Sequence, residues 1–121
     1  MKIKLVRRKN PQDKTKSKVY ANAVNAGRKT LHDISKEIAG RSSLTRGDVE
    51  NVLLNLLDCL PEYLMDGFSV QLGEFGTLRV SLSSNGAADS HSFDTTKIKP
   101  RVLFTPGVEM KQLLKKTAYE K

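Results

Sequence analysis

The stretch Val70–Val80, Val-Gln-Leu-Gly-Glu-Phe-Gly-Thr-Leu-Arg-Val, decides the fold of this 121-residue chain. Two short runs of alternating residues flank a Gly-x-Phe-Gly turn, and a long apolar helical pattern precedes them. Gly73 and Gly76 adopt positive φ at little steric cost, and Phe75 between them is placed to plug a core. The stretch therefore predicts an antiparallel strand pair, with strands at 68–72 and 77–82, that follows a helix.

Residues before this stretch predict two further strands and two helices. Residues 2–8 and 18–24 alternate in polarity around a polar loop at 10–17, which indicates a hairpin or a pair of added strands. Thr30 is placed to cap a helix that ends at Gly40, and Thr45 to cap a second helix that ends at Asp66-Gly67.

The second helix has an unusually wide apolar face. It consists of Val49, Val52, Leu53, Leu56, Leu57, Leu60 and Leu64. One small domain has difficulty covering such a face alone, so a partner subunit is expected. Pro61 is expected either to kink this helix or to begin a second short one.

After the glycine turn, residues 83–92 are small and polar and predict an exposed connection. Residues 97–104 resume strand character, and Thr105-Pro106 is the expected cap and first residue of a last helix. The order is two strands, two or three helices, three strands and a helix. It indicates an α+β fold rather than alternating strands and helices.

The net charge of +8 and the pI of about 9.7 favour a polyanionic partner, nucleic acid or an anionic membrane, over a protein that is merely basic. The excess is concentrated: residues 1–30 carry 10 Lys/Arg against the single acid Asp13, whereas residues 31–66 carry 3 against 7 acids. A membrane-surface role ranks low because no basic amphipathic helix is visible.

Nothing in the chain indicates catalysis, a metal site, a cofactor or a small-molecule substrate. His32 and His91 lie far apart in sequence, and the single cysteine, Cys59, falls in an apolar helical run where a buried structural thiol is expected. The turn at 73–76 lacks the spacing of a phosphate-binding loop. No secretory signal or membrane-spanning run is visible, so a cytoplasmic location is expected.

The clearest electrostatic feature is the predicted strand at 97–104. Lys97, Lys99 and Arg101 fall on one face of it, spaced about 6–7 Å apart, on the scale of phosphate spacing along DNA. Arg79 joins this face if the strands are neighbours, although an ordinary solvated strand face remains the alternative. Pro100 lacks an N–H donor and so predicts an edge strand or a bulge.

A second basic cluster lies at the N-terminus and consists of Lys4, Arg7, Arg8 and Lys9. These residues either extend a nucleic-acid surface or charge an exposed strand edge against aggregation.

Residues 30–116 resemble the HU/IHF family of bacterial histone-like DNA-binding proteins. The resemblance is carried by two capped helices, the glycine turn, a loop, a basic strand that ends in Phe104, and a Thr-Pro-Gly turn into a helix. It implies an obligate homodimer with a helical base and a β-sheet saddle whose two arms embrace duplex DNA. Lys-Leu-Val-Arg-Arg-Lys-Asn-Pro at residues 4–11 is similar to a Bacteroides-type variant of that family with an N-terminal extension. The implied division is a β extension at 1–29 and an HU-like DNA-binding domain at 30–121.

The chain departs from the family at the arm. The matching stretch, 83–96, contains no Arg, Lys or Pro and carries Asp89 and Asp94 as its only charges. Electrostatic clamping needs cations and intercalation needs an apolar tip, for which only Phe93 is available. The sequence thus predicts a shortened, non-basic arm and a nucleoid-associated protein that binds duplex DNA through phosphates with little sequence specificity. A dimeric structural or protein-interaction module that has lost DNA binding is the alternative.

Overall fold

A computed structural model describes all residues, 1–121, and shows an N-terminal hairpin of two strands. Strand β1 (Ile3–Lys9) pairs antiparallel with β2 (Ser17–Ala23). The Asp13 carboxylate in the connecting loop accepts hydrogen bonds from the N–H and the hydroxyl of Thr15, at 3.1 and 2.6 Å, which stabilise the reversal. Of the two predicted arrangements, the hairpin is therefore the one found.

The chain termini meet beside this hairpin. The N–H of Ile3 donates to the Glu120 carbonyl at 2.8 Å, and the N–H of Glu120 donates to the Met1 carbonyl at 3.0 Å. The C-terminal end of the chain thus pairs with the start of β1 and ties the hairpin to the residues that follow α3.

Two helices follow, and both begin at the predicted threonines. Helix α1 (Leu31–Gly40) starts with a reciprocal capping box between Thr30 and Asp33. Helix α2 (Arg46–Met65) starts at Thr45, whose hydroxyl accepts the Asp48 N–H at 3.1 Å. These caps satisfy N–H groups that a helix leaves without an intrahelical partner, so the short polar side chains fix both start points.

Pro61 does not begin a new helix, because α2 continues through it to Met65. Of the two alternatives for Pro61, the separate short helix is not found: proline removes one N–H donor, and α2 continues as one helix around it. The helix ends at the predicted place, where Gly67 has a φ of +89°.

The second sheet has three strands in the order β3-β4-β5, all antiparallel. They are β3 (Val70–Gln71), β4 (Gly76–Ser83) and β5 (Lys99–Pro106). The turn between β3 and β4 has Gly73 at φ +57° and Gly76 at φ +155°, as the sequence predicted. A Cβ at Gly76 would collide with the ring of Phe104, so the position requires glycine for space as well as conformation.

The last helix, α3 (Val108–Leu114), begins later than predicted. Gly107 is its N-cap, whereas Thr105 and Pro106 belong to β5, opposite Thr77 and Gly76. Thr105 and Pro106 pair with β4 instead of beginning the helix, because strand pairing with Thr77 and Gly76 keeps both residues extended.

Very little of the single chain is shielded from solvent: only 3 of its 121 residues are buried. Val49 at the start of α2 is the one large apolar side chain among them. Phe75 does not plug a core as predicted, since it is 52% exposed and stacks on Phe104 with ring centroids 5.0 Å apart. No helix combines the length and the hydropathy needed to cross a membrane.

Candidate nucleic-acid interface

The sheet formed by β4 and β5 has one cationic and one apolar face. In the antiparallel register Ser81 lies opposite Arg101 and Ser83 opposite Lys99, which places Arg79, Lys99 and Arg101 on the same side of the sheet. All three cations are exposed. We call this set the basic sheet face; it joins Arg79 to the strand cations as the sequence predicted.

The opposite face of the sheet is apolar and faces helix α2 across an open groove. Leu78 lies opposite Phe104 and Val80 opposite Val102. Val80 and Val102 also line, with Leu64 of α2, a groove of about 540 Å³. Arg101 of the basic sheet face also borders this groove, and Val102 remains 59% exposed, so the apolar side is only partly covered within the chain.

Lys97 does not lie on this strand. It is the last residue of a single 3₁₀ turn, Thr95–Lys97, and β5 begins at Lys99. The cause is Asp94, whose carboxylate accepts hydrogen bonds from the N–H and the hydroxyl of Thr96, at 3.0 and 2.6 Å, and so caps the turn. The prediction that Lys97, Lys99 and Arg101 alternate along one strand was therefore wrong for Lys97.

Pro100 lies opposite Leu82 on β5, which is the edge strand of the sheet. The prediction of an edge position is confirmed. A proline has no N–H to offer a further strand, so this edge resists sheet extension while the neighbouring cations stay accessible.

The connection between β4 and β5 is not an extended arm. It forms local turns held by its own acids: the Asp89 carboxylate accepts the N–H of Ser92 at 2.8 Å, and Asp94 caps the 3₁₀ turn. The N–H of Ser92 lowers the pKa of Asp89, and the hydroxyl of Thr96 lowers that of Asp94. Both carboxylates are therefore ionised at neutral pH. They give residues 83–96, which contain no Lys or Arg, a negative charge.

The N-terminal cations divide between the two faces of the hairpin. The register puts Lys4 and Arg8 on one face and Arg7 and Lys9 on the other. Arg7 donates to the Ser17 hydroxyl at 3.1 Å on its own face. The cluster that appears continuous in sequence therefore forms two separate groups.

No cluster of metal-binding side chains is present. No three or more His, Cys, Asp or Glu side chains lie close enough together to hold a metal ion. His32 and His91 are exposed and lie on α1 and in the loop before β5. Cys59 is exposed rather than buried, because the face of α2 on which it lies is not covered within the chain.

Comparison with known proteins agrees with this architecture. The chain superimposes on a crystal structure from Bacteroides vulgatus ATCC 8482, described as a "Putative bacterial DNA binding protein", with a TM-score of 0.67 and 17% identity. The match covers 98% of this chain and 46% of that one, so the chain spans just under half the length of its structural neighbour. No curated protein matches. At this identity the neighbour shows the fold, and it confirms the predicted HU-like α+β arrangement.

The family comparison covers the chain from end to end. Residues 1–121 match the family described as "HU domain fused to wHTH, Ig, or Glycine-rich motif", and the match includes the N-terminal hairpin. The protein belongs to this HU-domain family.

Proposed function

We propose that this protein is a non-enzymatic, homodimeric DNA-binding protein that contacts duplex DNA through its phosphates, with little sequence specificity, and takes part in organising the bacterial nucleoid. The observation that carries the proposal is the basic sheet face, an exposed set of cations that strand pairing places on one side of the sheet. Membership of an HU-domain family supports DNA binding in general, as does the description of the structural neighbour.

Phosphate contact is the chemistry that this face supports best. Arg79, Lys99 and Arg101 are long, flexible cations on a strand surface, and each would neutralise a phosphate and release its counterions. The neighbouring side chains, Ser81 and Ser83, are short, and their hydroxyls suit hydrogen bonds to phosphate oxygens of the DNA backbone. Lys97 lies just before the strand and remains a flanking candidate, and Lys4, Arg7, Arg8 and Lys9 remain candidates on the hairpin.

Low specificity and modest DNA bending follow from the loop between β4 and β5. Reading base edges requires side chains inside a groove, and kinking requires an apolar wedge between base steps. The loop offers Phe93, which is 38% exposed, and two ionised aspartates. We therefore expect less bending than an HU protein with basic, proline-tipped arms produces.

The homodimer is proposed because the chain leaves its largest apolar face uncovered. On α2, Val52 is 61% exposed and Leu57 is 48% exposed. A soluble monomer rarely exposes so much contiguous apolar surface, and a second copy supplies a matching helix by symmetry. The groove between α2 and the sheet would be covered in the same association.

The test is a titration of fluorescently labelled duplex at two salt concentrations. The substitutions Arg79→Ala, Lys99→Ala and Arg101→Ala together should reduce the slope of log affinity against log salt by about 3 per chain, at roughly 0.9 per phosphate contact. Lys36→Ala, Arg41→Ala and Arg46→Ala together are a charge-matched control in the acidic helical segment and should leave the slope nearly unchanged. Arg41 forms only an exposed ion pair with Glu37, so the control costs little stability.

The rival function is a dimeric structural or protein-interaction module on the same fold, and the acidic loop is the observation that favours it. It predicts that the two triple variants weaken the binding expected of any basic protein to the same small extent. Wild-type affinity that does not respond to salt would also remove the phosphate proposal.

A further inference from the structure

The N-terminal hairpin has a cationic cleft at its closed end. The cleft has a volume of about 630 Å³, and the side chains that shape it include Arg8, Lys9, Lys16, Lys18 and Tyr20. No Asp or Glu lines it. Lys16 and Lys18 belong to the loop and to β2, so this site is not apparent in the N-terminal basic run and depends on strand pairing.

Strand pairing concentrates like charges here. The register places Arg8 directly opposite Lys18, with their Cβ atoms about 5 Å apart, while the Arg8 guanidinium turns along the strand to Asn22. Neither residue has an acidic partner, since the one ion pair of the chain joins Arg41 to Glu37. Neighbouring cations without an acidic partner favour an external anion, because the anion balances their charge.

Arg8 is held in place within the cleft. Its guanidinium lies 5.8 Å from the centroid of the Tyr20 ring and donates to the side-chain oxygen of Asn22 at 3.3 Å. An ordered guanidinium loses less conformational freedom when it binds a phosphate than a free one does. The ring of Tyr20, 46% exposed, also leaves an apolar surface beside the cations on which a sugar or base can rest.

The single acid near the hairpin does not neutralise the cleft. Asp13 directs its carboxylate to Thr15, whose hydroxyl is the main cause of its lowered pKa. Its Oδ1 accepts both hydrogen bonds from Thr15, and Asp13 does not line the cleft.

From these observations we infer that the hairpin cleft is a second binding site for the phosphodiester backbone of a nucleic acid, separate from the basic sheet face. The inference rests on the proposed DNA binding and adds to it a site built by Arg8, Lys16 and Lys18. The loop between β4 and β5 carries ionised aspartates where an arm would carry cations, and the hairpin supplies cations elsewhere on the same chain.

The test uses the full chain with Arg8→Ala, Lys16→Ala and Lys18→Ala combined, beside the charge-matched control Lys36→Ala, Arg41→Ala and Arg46→Ala. Fluorescence anisotropy is measured with a labelled duplex and with a single strand of the same length, at two salt concentrations, and far-UV circular dichroism verifies folding. The hairpin variant should reduce the salt slope by about 2–3 and the control by less than 1. Lys18→Gln alone, which alters no hydrogen bond of the hairpin, should reduce it by about 1.

Which probe loses affinity identifies the source of the phosphate: loss on the duplex places the cleft on double-stranded DNA, and loss confined to the single strand places it on unpaired nucleic acid. Equal slopes for the hairpin variants and the control, with a reduced slope for the basic sheet face variant, would overturn this inference and leave the proposed function standing. A reduced slope for the hairpin variants, with equal slopes for the basic sheet face variant and the control, would support the cleft and contradict phosphate binding by the basic sheet face. Loss of binding to labelled polyglutamate with nucleic-acid binding unchanged would assign the cleft to an acidic protein, and a wild-type chain that binds no nucleic acid would overturn both.

Discussion

Truncation of Leu57 on the uncovered face of α2 should separate the proposed dimer into monomers. Leu57 is 48% exposed in the single chain, so about half of its side chain is available to a partner. Full burial of such a side chain is worth about 1.5–3 kcal/mol, which leaves roughly 1 kcal/mol per leucine for association before packing is counted. A dimer contains two copies of every such contact.

The expected magnitude includes the cavity that truncation leaves. Leu→Ala at a buried site costs about 2–5 kcal/mol. Taking the lower bound for each copy, Leu57→Ala should weaken the dimer by about 4 kcal/mol, or a factor of about 1,000 in its dissociation constant. Because association stabilises the folded state by mass action, the melting temperature of the wild-type protein should also rise with protein concentration.

Sedimentation equilibrium and thermal melts over a hundredfold concentration range measure both effects. Leu5→Ala is the matched control, since Leu5 lies on the N-terminal hairpin and is 50% exposed, nearly the same as Leu57. The reasoning is refuted if the wild-type chain sediments as a monomer throughout with a constant melting temperature, or if the two substitutions have equal effects.

Three further outcomes are expected. Gly76→Ala should lower the free energy of unfolding by about 2–4 kcal/mol in urea titrations, more than the roughly 1 kcal/mol expected for Gly73→Ala, because only at Gly76 does a Cβ meet a ring; equal losses would contradict this. The hydrogen bond from the Thr30 N–H lowers the pKa of Asp33 in the folded state. The stability that the ionised Asp33 carboxylate contributes is therefore complete above the unfolded pKa of about 3.9, and it is lost as pH falls through the lower folded pKa. Asp33→Asn should therefore reduce the urea midpoint at pH 7 and leave it nearly unchanged at pH 2, and an equal reduction at both values would argue against it. Ala87→Lys and Ala88→Lys together should tighten duplex binding and raise the salt slope by about 2, whereas an unchanged slope would mean that the loop does not approach DNA.

Local chemistry allowed much of the fold to be predicted from sequence. Both helix starts follow from Thr30 and Thr45, whose hydroxyls satisfy free N–H groups within the next turn. The glycine turn follows from Gly73 and Gly76 for the same reason, because the required φ values depend on the residue itself. The edge position of β5 follows from the missing donor of Pro100.

Two of the errors arose where two local preferences competed for one residue. Lys97 fits a strand by alternation, but the Asp94 carboxylate captures the turn around it. Thr105 fits a helix cap, but its pairing with Thr77 keeps it in the sheet. Composition and spacing give no measure of which interaction is stronger in such cases.

The sequence by itself determined the elements, their order and the overall positive charge, since these depend on neighbours a few residues apart. The tertiary structure decided which cations share a surface. Strand register joins Arg79 to Arg101 across 22 positions and Arg8 to Lys18 across a loop, and it separates Arg7 from Arg8 although they are adjacent. The physical reason is the two-residue period of a strand, which assigns each side chain to a face that only pairing with a distant segment completes.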